Sequence, residues 1–506
     1  MPRRQTDTTF LWKCTGAAVL AIQLAWLLFE STRLFGRFSL TSDFALYYQA
    51  WHLVAAGHLS PAGTVYRSAP FLTNHFELLI YPLSLFEFLD PGGFILLMLQ
   101  DVATVAVELV AFFWILDLTT EGWGGGERAR HLVVSGALIV LAVDPWIWWA
   151  SAFDFHLEVF ATLFGLLAAR ALWRRRWRAG CAWAAVTLCC GTTESIMLIG
   201  LGLALVVSRR DLWRQGMALA AAAVAWVLSL SALGYDSGSQ LAPLYGYLTN
   251  AAPGSTVHLP QVIFGVLRHP HRVAEMLSSK RTHLWEILGG ASLLGIASSI
   301  GLPITLALLI PAALNAQLSV VEPEASFQIL PVLLFVPVGS VLVLCWLSRR
   351  PKAAWRTAGA LLGVAALVET VVLSVVWVPR SDSYFRRTDP QAARVLSSVL
   401  ARTPPGAEVI ASNGFVGRFA DRPWVYPFWL PTSAPGSVPV KTKTVEFVLS
   451  GSEGIETTPP GTTAAAVAEI RTRLHAKLLL RSAGIWVFLW HPAPGVHEVT
   501  LPGLGL

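Results

Sequence analysis

Short clusters of arginine cut the sequence into apolar runs of about 20 residues, the length that carries a helix across the hydrocarbon core of a bilayer. Phe10 to Phe29, Gly92 to Leu116, His131 to Trp148, Trp213 to Leu233, Phe327 to Leu347 and Ala354 to Val378 follow this pattern. None alternates apolar and polar residues as the strands of a membrane barrel do, so the spans are predicted to be helical. The composition points the same way: 54% of residues are hydrophobic and 13% charged, against about a quarter charged in soluble domains.

The net charge of +6 is carried by arginines that lie between apolar runs, which is how positive cytoplasmic loops orient a membrane protein. No basic face with interleaved aromatics is present, and nucleic acid is excluded as a partner on that ground. Cys14, Cys181, Cys189, Cys190 and Cys345 all sit in or beside apolar runs. They imply neither a disulfide framework nor zinc-ligand spacing. Arg3 and Arg4 followed by an apolar run look like a secretory signal, but Trp26 and Glu30 stand where small residues would mark cleavage, so an uncleaved first span is expected.

With that span starting inside, residues 31–90 form an external loop, in which Asp43 to Ala56 reads as an interfacial helix presenting Tyr47, Tyr48 and Trp51 to the headgroups. Arg174-Arg175-Arg176-Trp177-Arg178 is the strongest inside marker, and Arg209-Arg210 is another. Ala179 to Ser208 between them must cross an even number of times and is too short for two full spans. Two short helices breaking near Gly191 to Glu194 are therefore expected, with Glu194 at the apex, since irregular backbone at that depth needs cover from protein or a water-filled cavity. A second external loop covers residues 235–283. About eleven crossings then bring the chain to an external C-terminus.

From residue 379 onward the composition becomes that of a soluble domain. Glu408 to Ser412, Trp424 to Tyr426, Val445 to Leu449, Leu478 to Leu480 and Ile485 to Leu489 read as strands, and Thr463 to Lys477 as a helix, so a small α/β domain is expected. The predicted organisation is a helical membrane domain over residues 1–378 and an extracytoplasmic α/β domain over 379–506.

Ionisable residues outside the arginine clusters collect on the outer side of this topology: Asp43, His75, Glu77, Asp154, His156, Glu158, Glu194, Asp236, Glu322 and Glu324. Charged groups near the membrane are costly and commonly face a functional cavity. Carboxylates with a neighbouring histidine hold divalent cations, and a carboxylate opposite them takes a proton from an attacking hydroxyl. Plainer readings exist for each. Aspartate at a helix start is a common N-cap, which serves for Asp154. His75 serves as an interfacial side chain and Glu322 and Glu324 as solvated loop residues. Cys189-Cys190 reads as packing and Gly124 to Gly126 as a turn. Glu194, between two short apolar helices, has the fewest plain explanations.

Ser42-Asp43-Phe44 with Gln49, Asn74-His75-Phe76, Asp154-Phe155-His156-Leu157-Glu158 and Thr193-Glu194, together with Pro404 to Ser412 and Arg422 to Tyr426, resemble a poorly characterised family of bacterial and archaeal polytopic membrane proteins. That family shows Asp-Phe-His-Pro-Glu and Lys-Glu-Asp motifs. Here Leu157 replaces the proline, Thr193 the lysine and Ser195 the final acid. The lost lysine removes a phosphate contact that Arg67 or another external arginine would supply. The family in turn resembles the GT-C superfamily of glycosyltransferases, which implies a GT-C-like helical membrane fold, a polyprenyl-phosphate-linked sugar donor, a cell-envelope glycan, lipid or protein acceptor, and often a divalent cation (Mg2+ or Mn2+). The resemblance implies Asp43 as base or metal-site carboxylate and Glu194 as a second acid. His75, His156, Arg67 and Tyr47 would bind substrate, and Asp43, Asp154, His156 and Glu158 would form the metal set. The plasma membrane is the expected location, and the charge of Arg3 and Arg4 puts the N-terminus on the cytoplasmic side. A transporter or lipid flippase with a polar pathway is the alternative, and a non-catalytic membrane scaffold the third.

Overall fold

The computed structural model describes residues 3–65, 69–74, 76–90, 92–191, 193–233, 235, 238–251, 257–289, 292–316, 323–428, 435–451 and 460–504. Among these, six helices are long and apolar enough to cross a membrane: Thr8–Gly36, Phe94–Gly122, Glu127–Ala152, Arg210–Ala232, Ser326–Ser348 and Ala353–Leu400. Shorter apolar helices are Glu194–Ser208, Leu259–Arg268 and Gly301–Leu314. We label the helices used below α1 (Arg3–Gly36), α2 (Ser42–Ala55), α3 (Phe94–Gly122), α4 (Glu158–Trp173), α5 (Trp177–Leu188), α6 (Thr193–Ser208), α7 (Trp213–Ala232) and α8 (Leu330–Ser348). At about 1.5 Å per residue, the 12 and 16 residues of α5 and α6 reach about 18 and 24 Å. The two short helices inferred from the arginine clusters are therefore present, separated between Leu188 and Thr193.

The chain forms two compact units that alternate along the sequence. Unit 1 is Met1–Leu27, Gln100–Ser151 and Leu157–Ser381; unit 2 is Leu28–Leu99, Ala152–His156 and Asp382–Leu506. Two contiguous domains divided after residue 378 were expected. The observed division differs because residues 28–99 pack with the C-terminal domain.

Unit 1 is helical and follows the packing rules of apolar surroundings, where close approach replaces hydrophobic drive. A Cβ on Gly202 of α6 would stand 2.5 Å from the Gly216 carbonyl of α7, and one on Gly216 the same distance from the Gly202 carbonyl. Only glycine permits this crossing. Polar groups inside the unit find one another, as where buried Gln23 donates to Glu108 at 2.8 Å.

Unit 2 contains a five-stranded mixed sheet of β1 (Glu408–Ser412), β2 (Val425–Phe428), β3 (Val445–Ser450), β4 (Lys477–Ser482) and β5 (Ile485–Trp490) in the order β2-β1-β3-β5-β4. β1 is parallel to β2 and β3, whereas β5 is antiparallel to β3 and β4. Every residue of β1, β2 and β3 is buried, which explains why these strands read as apolar runs without alternation. Pro435–Pro439 and Glu498–Pro502 form a separate antiparallel pair.

β2 is an edge strand, and an open edge exposes unpaired backbone groups. Thr64 closes it: its hydroxyl donates to the Val425 carbonyl at 2.7 Å and accepts from the Val425 amide at 3.1 Å. Gln49 of α2 then locks Thr64. Its Oε1 accepts from the Thr64 amide at 3.0 Å, and its Nε2 lies within 2.7–3.1 Å of the Thr64 hydroxyl and the Arg422 and Pro423 carbonyls. Farther along, the Arg418 guanidinium lies 3.6 Å from the Phe35 ring centroid and donates to the Phe35 carbonyl at 2.7 Å; burial pulls its pKa down to about 10. The Gly417 amide donates to the Leu40 carbonyl at 3.0 Å.

These contacts correct the reading of α2 as a surface helix. Tyr47, Tyr48 and Trp51 are 3%, 2% and 0% exposed, so they are core residues of unit 2 and not headgroup anchors. The Trp51 indole donates to the Leu83 carbonyl at 2.8 Å. Gly93, at φ +81°, lets the backbone pass so close to the Tyr48 ring that a Cβ would stand 2.8 Å from it.

Gln49→Leu keeps the volume but strips both donor and acceptor from a buried, fully used amide. Leaving Thr64 and the β2 edge unsatisfied is expected to cost about 1–3 kcal/mol. The measurement is the thermal transition of the purified full chain in detergent; an unchanged transition would refute the role given to Gln49.

Candidate functional site

The first turn of any helix leaves backbone amides without partners inside the helix. At the start of α2 they are satisfied by residues far apart in sequence. The Thr41 amide donates to both oxygens of Asp154 at 3.1 Å, and the Phe44 amide to Asp154 Oδ2 at 3.4 Å. The Ser42 amide donates to Asn413 Oδ1 at 3.2 Å, and the Asp43 amide to the Thr41 hydroxyl at 3.3 Å. That hydroxyl in turn donates to Asp154. Asp154 is thus a cap, as its plain reading held, but of α2 and not of the helix that follows it. The N-cap position of α4 is Leu157, whose side chain makes no cap hydrogen bond.

Asp154 reaches α2 because its own backbone is in the left-handed region, at φ 47°, a conformation that aspartate tolerates better than most residues. Its side chain is 1% exposed. Burial pushes its carboxyl above the ordinary range, and the charge of Asp43 adds to the rise; the Thr41 hydrogen bonds and the charge of Arg387 oppose it. Arg387 itself lies 5.0 Å from the Tyr384 ring centroid, and Tyr384 meets Phe153 edge-on at 6.0 Å.

Two residues beyond Asp154, His156 Nε2 faces Asp43 Oδ2 at 3.7 Å. His156 Nδ1 lies 3.1 Å from the Phe153 carbonyl, which only accepts, so the Nδ1 proton is held there and Nε2 is the nitrogen turned to Asp43. The imidazole is stacked on the Phe153 ring at 5.7 Å and met edge-on by Tyr47 at 6.0 Å. Tyr47 lies one helical turn from Asp43, and its hydroxyl donates to Glu77 at 3.2 Å. Exposure separates the roles: the Asp43 side chain is 32% exposed and that of His156 4%. Asp43 is the accessible member of an otherwise buried group.

Asp43, Tyr47, Asp154 and His156 are therefore brought together. His75 and Arg67 lie outside the described residues, as do Asp236 and Glu322. Glu158 and Glu194 belong to unit 1, each in the first turn of its helix, α4 and α6. The Asp154-to-Glu158 run is split between the two units after His156.

Among the described residues no group of three or more His, Cys, Asp or Glu side chains could hold a metal ion.

Residues 37–462 match the DUF2079 family, described as predicted membrane proteins. The chain belongs to that family. A search of the curated proteins gives no match. The match to this family takes in α2, Asp154, His156 and the long apolar helices after α1, and ends before the last two strands of the sheet.

Two contributors escaped the sequence analysis. Asn413 follows β1 in an Asn-Gly pair that signals only a turn, and its bond to Ser42 joins positions 371 residues apart. Arg387 stands in a cluster with Arg386 after the last apolar run, where positive charge reads as an end marker.

A carboxyl group whose folded pKa is raised contributes stability that is complete below its unfolded pKa, about 3.9, and is lost as pH rises through the folded value. The wild-type thermal transition should carry this component as a fall above about pH 4, and Asp154→Asn should lack it. Asp154→Ala should be the less stable variant at every pH, by about 1–3 kcal/mol, because the α2 amides lose their acceptor. Parallel pH profiles for wild type and Asp154→Asn would contradict the assignment.

Proposed function

We propose that this chain is a membrane glycosyltransferase that moves a sugar from a polyprenyl-phosphate-linked donor to a hydroxyl of an extracytoplasmic acceptor, with Asp43 as general base. The observation that carries the reading is the pairing of a partly exposed carboxylate, Asp43, with the Nε2 of a buried and oriented imidazole, His156, 3.7 Å away. A base must be reachable by the acceptor hydroxyl, and Asp43 has that access where Asp154, Glu77 and His156 do not.

In the proposed step the acceptor oxygen attacks the anomeric carbon of the sugar. Its proton passes to the Asp43 carboxylate, the bond between the anomeric carbon and the phosphate oxygen breaks, and the electron pair leaves with the lipid phosphate. His156 Nε2, unprotonated while Nδ1 holds its proton on the Phe153 carbonyl, is the acceptor to which Asp43 passes that proton on. Asp154 holds the α2 N-terminus that carries Asp43. The positive ends of the α2 amides favour negative charge nearby, and the guanidinium of Arg387 suits the phosphate of the donor. No step is routed through a metal ion. Glu194 and Glu158 are given no catalytic role here.

Asp43→Asn preserves shape and removes the base. Transfer of radiolabelled sugar from a polyprenyl-phosphate donor by membranes containing that variant should fall about 10²–10⁴-fold, with expression and thermal transition unchanged. Full activity would end the assignment. Flux of a solute or lipid through proteoliposomes without chemical turnover would favour the transporter reading.

A further inference from the structure

Unit 1 contains a cavity of about 680 Å³ lined among others by Leu118, Trp173, Arg209, Ser299, Trp346 and Arg349. Four helices, α3, α4, α6 and α8, end around it, at Gly122, Trp173, Ser208 and Ser348. A helix C-terminus presents carbonyls without partners inside the helix, and the cavity's arginines take two of them. Arg209 Nη1 donates to the Trp173 carbonyl at 3.2 Å and Arg349 Nη2 to the Glu121 carbonyl at 3.1 Å.

The two guanidinium groups then differ. Arg209 contacts Asp211 twice, both at 3.1 Å, sharing it with Arg175, and lies 5.2 Å from the Trp173 ring centroid. Arg349 makes its one carbonyl bond and has no acidic partner among the described residues. The acid in the wall, Glu121, is exposed. Arg350 adds a further positive charge beside the cavity, 3.9 Å from the Trp346 ring centroid. Polar and apolar groups share the lining: Ser208 donates to Ser299 at 2.8 Å, while Leu342 and Val343 form an apolar side and the Trp346 ring is half exposed.

An arginine at a helix end, taken alone, only marks orientation. A preformed cavity that combines an uncompensated guanidinium with an apolar, tryptophan-edged side has the chemistry of an amphiphile's head and first methylenes. Basic pockets between membrane helices take anionic lipid headgroups in this way, and a guanidinium binds phosphate through paired, charge-assisted hydrogen bonds. We propose that this cavity binds the phosphate-bearing headgroup of an anionic membrane lipid, with Arg349 as the phosphate contact and Trp346 against the lipid backbone. It is a site distinct from that of Asp43 and does not rest on the glycosyltransferase reading.

Native mass spectrometry of the full chain in detergent, titrated with phosphatidylglycerol, phosphatidylcholine or inorganic phosphate, tests this. Phosphatidylglycerol should be retained over phosphatidylcholine and should resist competition by inorganic phosphate. Arg349→Gln should weaken its retention about tenfold, the size expected for one charge-assisted contact, and Arg349→Lys by less. Val343→Trp, which keeps every arginine but fills the cavity, should cause a similar loss, with the lipid-free thermal transition as a control for folding. Equal retention of the two lipids, or retention unaffected by Arg349→Gln and Val343→Trp, would overturn the proposal. Displacement by inorganic phosphate would overturn it in favour of a soluble phosphate compound.

Discussion

The carboxylate of Asp154 carries more of this arrangement than any other group. Backbone amides at a helix start are obligatory donors, and in a buried position each one left without an acceptor costs free energy comparable to a lost hydrogen bond. Helix α2 begins inside unit 2, with Ser42, Phe44 and Tyr47 all buried, so water cannot serve. Thr41, Asn413 and Asp154 supply the acceptors from three separate parts of the chain. The same bonds that satisfy α2 therefore fix where residues 152–156 and 382–506 stand against it within unit 2. Asp43 and His156 inherit their mutual geometry from this cap.

That cap also explains how two carboxylates come to have different characters. Asp154 is enclosed and carries the cost of desolvation, which its hydrogen bonds and Arg387 only partly offset. Asp43 lies two residues beyond the N-cap Thr41 and keeps access to solvent. Placing acidic groups in environments of opposite solvation is how one fold assigns them separate tasks. In unit 2 the separation follows from a single choice, which of the two aspartates faces the helix amides.

The helices were legible in the sequence because their cause is local. Apolar length, arginine punctuation and the need for an even number of crossings between Arg178 and Arg209 predict α5 and α6 and the interruption between them. The strands at Glu408, Val425, Val445 and Ile485 were legible for the same reason. The candidate site was legible only as a set of residue types. That Asp154 would cap a helix more than a hundred positions upstream, from a left-handed backbone, depends on tertiary placement that no local pattern encodes. Tyr48 and Trp51 were misread on similar grounds: an aromatic cluster near a membrane span has the same composition whether it meets headgroups or packs under a sheet edge, and Gln49, 0% exposed and bonded to Thr64, decides for the second.

The arginine clusters show the converse, a pattern with one clear local meaning that acquires another in three dimensions. Each cluster reads in the sequence as a marker of orientation, and that reading is indifferent to whether its members have partners. Asp211 receives both Arg175 and Arg209, and Asp117 both Arg170 and Arg174. Orientation alone would be served as well by solvated, unpaired side chains. Pairing reduces the net charge available at those positions, whereas Arg349 and Arg350 have no acidic partner among the described residues. Selectivity for an anion at a positively charged membrane edge comes from such a residual charge in a shaped cavity, more than from the sum of the charges around it.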